Sequence, residues 1–239
     1  MTVIAITEAA GTSAATTTAL GLAITWPGGV VLVELDPSGG DLASWLDLSE
    51  SRGIMTLAAS PSSHDETGLT THAQQTAGGL PVIVAPMRST EAAVAVPAAA
   101  ARLTNLVGQS DITIIVDLGR FNAAVLPCDE MLVVVRQAPD SPYATVARIE
   151  RTAEVVKRAT ASAPTRLLVV GDVPYRPDDI ARHLGIALAG TIALDPTGAS
   201  LVAGRTATRK TLAKCRLLQC AAQVAADLKR DLDSRTPSA

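Results

Sequence analysis

Thr2-Val3-Ile4-Ala5-Ile6-Thr7-Glu8-Ala9-Ala10-Gly11-Thr12-Ser13-Ala14-Ala15-Thr16-Thr17-Thr18-Ala19-Leu20 is the stretch that decides the fold. Residues 2–7 form a nearly unbroken apolar run of strand length, as expected for a strand buried on both faces. A loop of small residues follows, and then a helix expected over 16–25 that opens with threonines. Strand, small-residue loop and helix N-terminus are the plan on which backbone N–H groups cradle a phosphate. The same stretch reads equally as a strand-to-helix turn with no ligand.

Six more short apolar runs follow, at 30–35, 80–84, 112–117, 131–136, 166–171 and 187–192. Between them, helical periodicity predicts helices at 91–107, 143–159 and 178–184. Ser141 is placed to cap the second of these, with Pro142 at its first position. Such alternation implies right-handed crossovers, hence an α/β fold with a doubly wound, mainly parallel seven-stranded sheet and helices on both faces. The polar stretch 59–79 reads as a surface excursion with one helix over 69–77. A single domain is expected over 1–233, followed by a disordered tail over 234–239.

Composition narrows the partners. Apolar residues make up 48% but aromatics only 2%, so Ala, Val, Leu and Ile must fill the core and allow helices to pack closely on the sheet. A net charge of −3 argues against a broad attraction to nucleic acid. Three cysteines without metal-type spacing suit a reducing compartment. With neither a signal-peptide pattern nor an apolar run long enough to span a bilayer, a cytoplasmic location is expected.

In an open parallel sheet, ligands bind beyond the carboxyl ends of the strands. That edge comprises residues 8–15, 36–40, 117–121, 136–142 and 171–177, where the unusual residues cluster. His64, His72 and His183 are scattered, and no Ser/His/Asp or Cys/His set is placed there, so a hydrolase of that type has no support.

The loop and the helix beginning Thr18-Ala19-Leu20-Gly21-Leu22-Ala23 resemble the MinD/ParA group of P-loop ATPases, whose deviant Walker A loop reads like Lys-Gly-Gly-Val-Gly-Lys-Thr-Thr. On that alignment Gly11, Thr12, Ser13, Ala14, Ala15, Thr16 and Thr17 stand at the nucleotide-binding positions. Ala15 replaces the main lysine, Ala10 replaces the signature lysine, and Thr12 and Ala14 replace glycines. Thr16 and Asp117, at the end of the Walker B-like run Ser110–Asp117, stand at the Mg²⁺ positions. In Glu34-Leu35-Asp36-Pro37, Asp36 matches the carboxylate beside the attacking water, and Glu34 replaces an Asp. Leu118-Gly119-Arg120-Phe121 departs from the group's switch II.

The resemblance covers nearly the whole chain, but its cations are missing. A transferred phosphoryl group needs its charge neutralised, and Glu8 at the loop's mouth repels a triphosphate. Arg120 and Arg136, at the same edge, are candidates to replace the lysines. Asp36 and Asp117 read either as remnants of a catalytic site or as turn and cap residues. The resemblance implies a degenerate, non-hydrolysing scaffold that positions a cellular machine, closest to the TadZ/CpaE branch that places the Flp/Tad pilus secretion apparatus. Its partners would be proteins of such a system, with a homodimer as one open arrangement.

The alternatives are an active ATPase of partitioning or division-site placement with a rebuilt phosphate site, and a nonspecific DNA binder. Cofactors are accordingly ATP or ADP with Mg²⁺, or none. The DNA reading would use Arg205, Arg209, Lys210, Lys214 and Arg216, against the acidic balance. Downstream, Leu217, Cys220, Ala221, Val224 and Leu228 form an apolar stripe at helical spacing. The group sometimes ends in a membrane-binding helix, but this stripe is Ala-rich and lacks Trp and Phe, which suits docking in the fold better.

Overall fold

The computed structural model describes residues 2–9, 14–60, 68–106, 112–121, 127–204 and 214–235. Eight strands lie in one sheet in the order β3-β4-β2-β5-β1-β6-β7-β8. They are β1 (Thr2–Glu8), β2 (Val30–Glu34), β3 (Gln74–Gln75), β4 (Pro81–Ile83), β5 (Thr113–Arg120), β6 (Glu130–Arg136), β7 (Thr165–Val170) and β8 (Leu188–Ile192). Every pairing is parallel except β3 with β4. The seven expected strands are present, and β3 adds a two-residue antiparallel edge. That edge occupies ground expected to be helical over 69–77, where the helix α4 (Gly68–His72) is only one turn long.

Period-2 alternation divides the strand residues between two core layers. Ile4, Ile6, Leu32, Ile115, Leu132 and Leu168 face α1 (Ala14–Thr25) and the C-terminal helix α9 (Arg216–Arg235). Val3, Ala5, Val31, Val33, Ile114 and Val133 face α5 (Ser89–Leu106) and α6 (Pro142–Thr160). The short helices α2 (Leu42–Leu46), α3 (Ile54–Ala59), α7 (Pro177–Leu184) and α8 (Pro196–Val202) complete the layers. Ser141 caps α6 as its position predicts, accepting from the Ala144 N–H at 3.3 Å.

Helix α1 is sandwiched between the sheet and α9, and its small residues let both come close. Ala14, Ala15, Ala19 and Ala23 are buried, and a Cβ on Gly21 would lie 3.1 Å from the Leu217 side chain. The stripe of α9 (Leu217, Leu218, Ala221, Val224, Ala225, Leu228 and Leu232) is buried in this layer, each large side chain worth about 1.5–3 kcal/mol. The docked arrangement expected of that helix is therefore present. It runs to Arg235, two residues into the expected tail, while 236–239 lie outside the described residues. Among the described residues no helix is long and apolar enough to cross a membrane.

Candidate functional site

At the carboxyl edge of the sheet, β1, β2 and β5 end side by side. The expected strand over 112–117 continues to Arg120, so Asp117 lies within β5 and not at its tip. The extension is held from β1: the Thr7 hydroxyl donates to the Gly119 carbonyl at 3.1 Å, and the Phe121 N–H donates to the Glu8 carbonyl at 2.9 Å. Phe121 is covered by the Arg158 guanidinium of α6, 5.0 Å from the ring centre. The backbone of the altered switch II segment is therefore fixed through Phe121.

Gly119 is the hub. It adopts φ +57°, a conformation that suits a residue without Cβ. A Cβ there would also overlap the Asp36 carboxylate, which packs directly on this glycine. The Gly119 N–H donates to Asp117 Oδ1 at 2.9 Å. Asp36 Oδ1 in turn accepts from the Ser38 N–H at 2.7 Å, an Asp-Pro turn that is complete without a metal.

Asp117 is 1% exposed. Burial pushes its carboxyl up to about 7; hydrogen bonds from the Gly119 N–H and the Thr16 hydroxyl oppose the shift, and the charges of Asp36 and Glu8 add to it. Its Oδ2 is buried with no hydrogen-bond partner among the described residues. Glu34, one strand away, is also 1% exposed and pushed up to about 8, by burial first and then by Asp117. Three amides oppose that rise: Asp41 N–H at 2.7 Å and Leu42 N–H at 3.0 Å on Oε1, and Ala85 N–H at 2.9 Å on Oε2. Glu34 is thus a staple between the 36–42 turn and the end of β4, a role the sequence did not reveal.

Gln137 was missed in the same way. Fully buried, it donates from Nε2 to the carbonyls of Gly171 and Tyr175, both at 2.8 Å, and accepts from the Tyr175 N–H at 2.9 Å. It stitches the loop after β7 to β6. An amide adjoining a strand end at the ligand edge was the available signal.

Of the positions aligned with a phosphate loop, Gly11, Thr12 and Ser13 lie outside the described residues, as does Ala10. Ala14, Ala15 and Thr16 form the buried start of α1, and Thr17 is half-buried beside them. The Glu8 side chain, 4% exposed, accepts from the Ala14 N–H through Oε2 at 3.2 Å. Arg120 is the register partner of Glu8 and its side chain is exposed, while Arg136 ends β6 half-buried. Neither forms an ion pair with Glu34, Asp36 or Asp117 among the described residues. Both stay at the edge where the sequence places them as candidates to replace the lysines. Lys214 and Arg216 are exposed, and 205–213 lie outside the described residues.

Among the described residues, this arrangement does not fit a nucleoside triphosphate. A first-turn amide, where an anion would bind, already holds a carboxylate, and position 15 carries a methyl group in place of an ammonium. Two like unit charges 4 Å apart repel by about 4 kcal/mol near a protein surface, so Glu8 alone is a large penalty. Asp117 and Thr16 have the oxygen chemistry that Mg²⁺ takes. Among the described residues, however, no three carboxylate, His or Cys side chains are grouped to hold an ion.

No protein-family model and no curated protein matches the chain. Solved structures share its fold. A ParA family ATPase from Chlorobium tepidum TLS superposes with a TM-score of 0.74 at 19% identity, covering 94% of this chain and 98% of that one. The septum site-determining protein MinD complexed with Mg-ADP from Pyrococcus horikoshii OT3 gives 0.72 at 15%, over 99% of both chains. The MinC:MinD cell division protein complex of Aquifex aeolicus gives 0.68 at 19%, over 100% of this chain and 98% of that one. At these identities the likeness shows a MinD/ParA-like P-loop NTPase fold.

Proposed function

We propose that this MinD/ParA-like chain is a non-hydrolysing scaffold that positions a larger cellular machine through protein contacts. A Flp/Tad pilus secretion apparatus is the machine that its degenerate loop brings closest. The observation that carries this reading is the charge of the site. Glu8 sits on the Ala14 amide, Asp36 and Asp117 crowd Gly119, and Ala15 stands where a lysine would neutralise phosphate. Phosphoryl transfer depends on cations and donors aimed at developing negative charge, and here the aligned groups have the opposite sign.

A second reading has one observation in its favour. The Oδ2 of Asp117, without a partner among the described residues, and the Thr16 hydroxyl beside it are oxygens of the kind Mg²⁺ takes, which suits an active ATPase with a rebuilt phosphate loop. Phosphate release from Mg-ATP separates the two. The scaffold reading expects a rate equal to the protein-free control, and a sedimentation coefficient unchanged by ATP. Turnover abolished by Asp117→Ala would establish the ATPase instead.

A further inference from the structure

We infer that Glu8 is a built-in anion: its carboxylate occupies the phosphate seat at the start of α1 and keeps polyphosphate out. The inference deepens the reading of the site as nucleotide-excluding and rests on it. The first amides of a helix have no intrahelical partner and carry a partial positive charge, so they take an anion from wherever one is held. In α1, which is 12 residues long, the Ala14 N–H is satisfied by Glu8 Oε2 at 3.2 Å, and the carboxylate doing so is 4% exposed. A hydrogen bond from an amide to an ionised carboxylate is about twice as strong as a neutral one.

Glu8 is also held from behind, so its side chain is pre-aimed. Its carbonyl accepts from Phe121, and Phe121 is clamped under Arg158. Thr7, one residue earlier, ties β1 to Gly119. An incoming phosphate would need the amide that Glu8 holds and would meet its charge in a largely water-excluded place. Asp117, which feels the charge of Glu8, has a buried Oδ2 with no partner among the described residues. That leaves a cation-seeking group beside an anion seat that the chain fills itself.

Inorganic pyrophosphate and tripolyphosphate with Mg²⁺ are the probes, because they carry the anion without a base. Wild type, Glu8→Gln and Glu8→Ala are titrated calorimetrically, and their melting temperatures are followed with and without each probe. Glu8→Gln keeps an oxygen for the Ala14 amide and removes the charge; Glu8→Ala removes both. Wild type is expected to show no saturable binding, and each variant to gain at least tenfold in affinity, with a melting temperature that rises with probe concentration. If Glu8→Ala does not fold, Glu8→Gln alone decides the question. Variants as blind to both probes as wild type would overturn the role of Glu8 and leave the scaffold reading standing. Saturable binding by wild type would overturn the exclusion itself.

Discussion

Replacing Arg166 by Ala is expected to lower the unfolding free energy by about 3 kcal/mol, the lower end of the cost of breaking a buried ion pair, because a second arginine stays on the carboxylate. That carboxylate belongs to Glu130, which is fully buried at the start of β6. It accepts from Arg166 Nε at 2.7 Å and from Arg235 Nη1 at 2.9 Å. Arg166 also donates from Nη1 to Asp231 at 2.7 Å, so one guanidinium ties the last turns of α9 to the amino ends of β6 and β7. Arg235 is half exposed and would be left to neutralise Glu130 alone. Chemical denaturation measures the loss, and amide exchange over the last turns of α9 should accelerate first. The paired change Arg166→Met with Glu130→Gln should cost far less, because no buried charge is stranded. A loss below about 1 kcal/mol for Arg166→Ala would reduce this network to an ordinary surface pair.

Glu34→Ala is expected to destabilise by about 3 kcal/mol at pH 5, since it strands three amide donors worth about 1–3 kcal/mol each, and water reaches the exposed Asp41. The size should depend on pH, and the sign follows from linkage. Both states are protonated at Glu34 below its ordinary value of 4.5, and the folded carboxyl holds its proton up to about 8. Between those values the unfolded chain binds fewer protons, so wild-type stability falls as pH rises. Asp117 adds a fall of the same sign between 3.8 and about 7. The penalty at Glu34 grows by about 1.4 kcal/mol per pH unit within its window. The cost of Glu34→Ala should therefore vanish at about pH 7 and reverse sign by pH 8. Denaturant melts of both proteins at pH 5, 6.5 and 8 measure this, and a cost that stays constant with pH would mean that Glu34 is ionised throughout.

What could be read from the residues was what local chemistry determines. Continuous Val, Ile and Leu runs marked the buried strands, and Ser141-Pro142 marked the start of α6. The scarcity of aromatics and abundance of small side chains marked helices that pack closely on the sheet, as α1 does. The eighth strand escaped because Gln74-Gln75 has no apolar signal, and its pairing with β4 alone makes it a strand. The run of β5 beyond Asp117 escaped because Leu118-Gly119-Arg120 reads as a loop until β1 supplies the partners.

The site was half legible for the same reason. The loss of lysine at position 15 and the wrong sign of Glu8 are plain in the sequence. That Glu8 reaches an amide six residues on is a matter of how the loop closes. In the sequence Glu34 reads as a stand-in for an aspartate, but its partner Ala85 lies 51 residues away, beyond any local pattern.

Calorimetric titration of the wild-type protein with ATP and with ADP, with and without Mg²⁺, tests the central claim most directly. An acidic site with its first amide already occupied predicts no saturable heat at millimolar nucleotide, with or without the metal. Tight binding that requires Mg²⁺ and disappears in Asp117→Ala would contradict it.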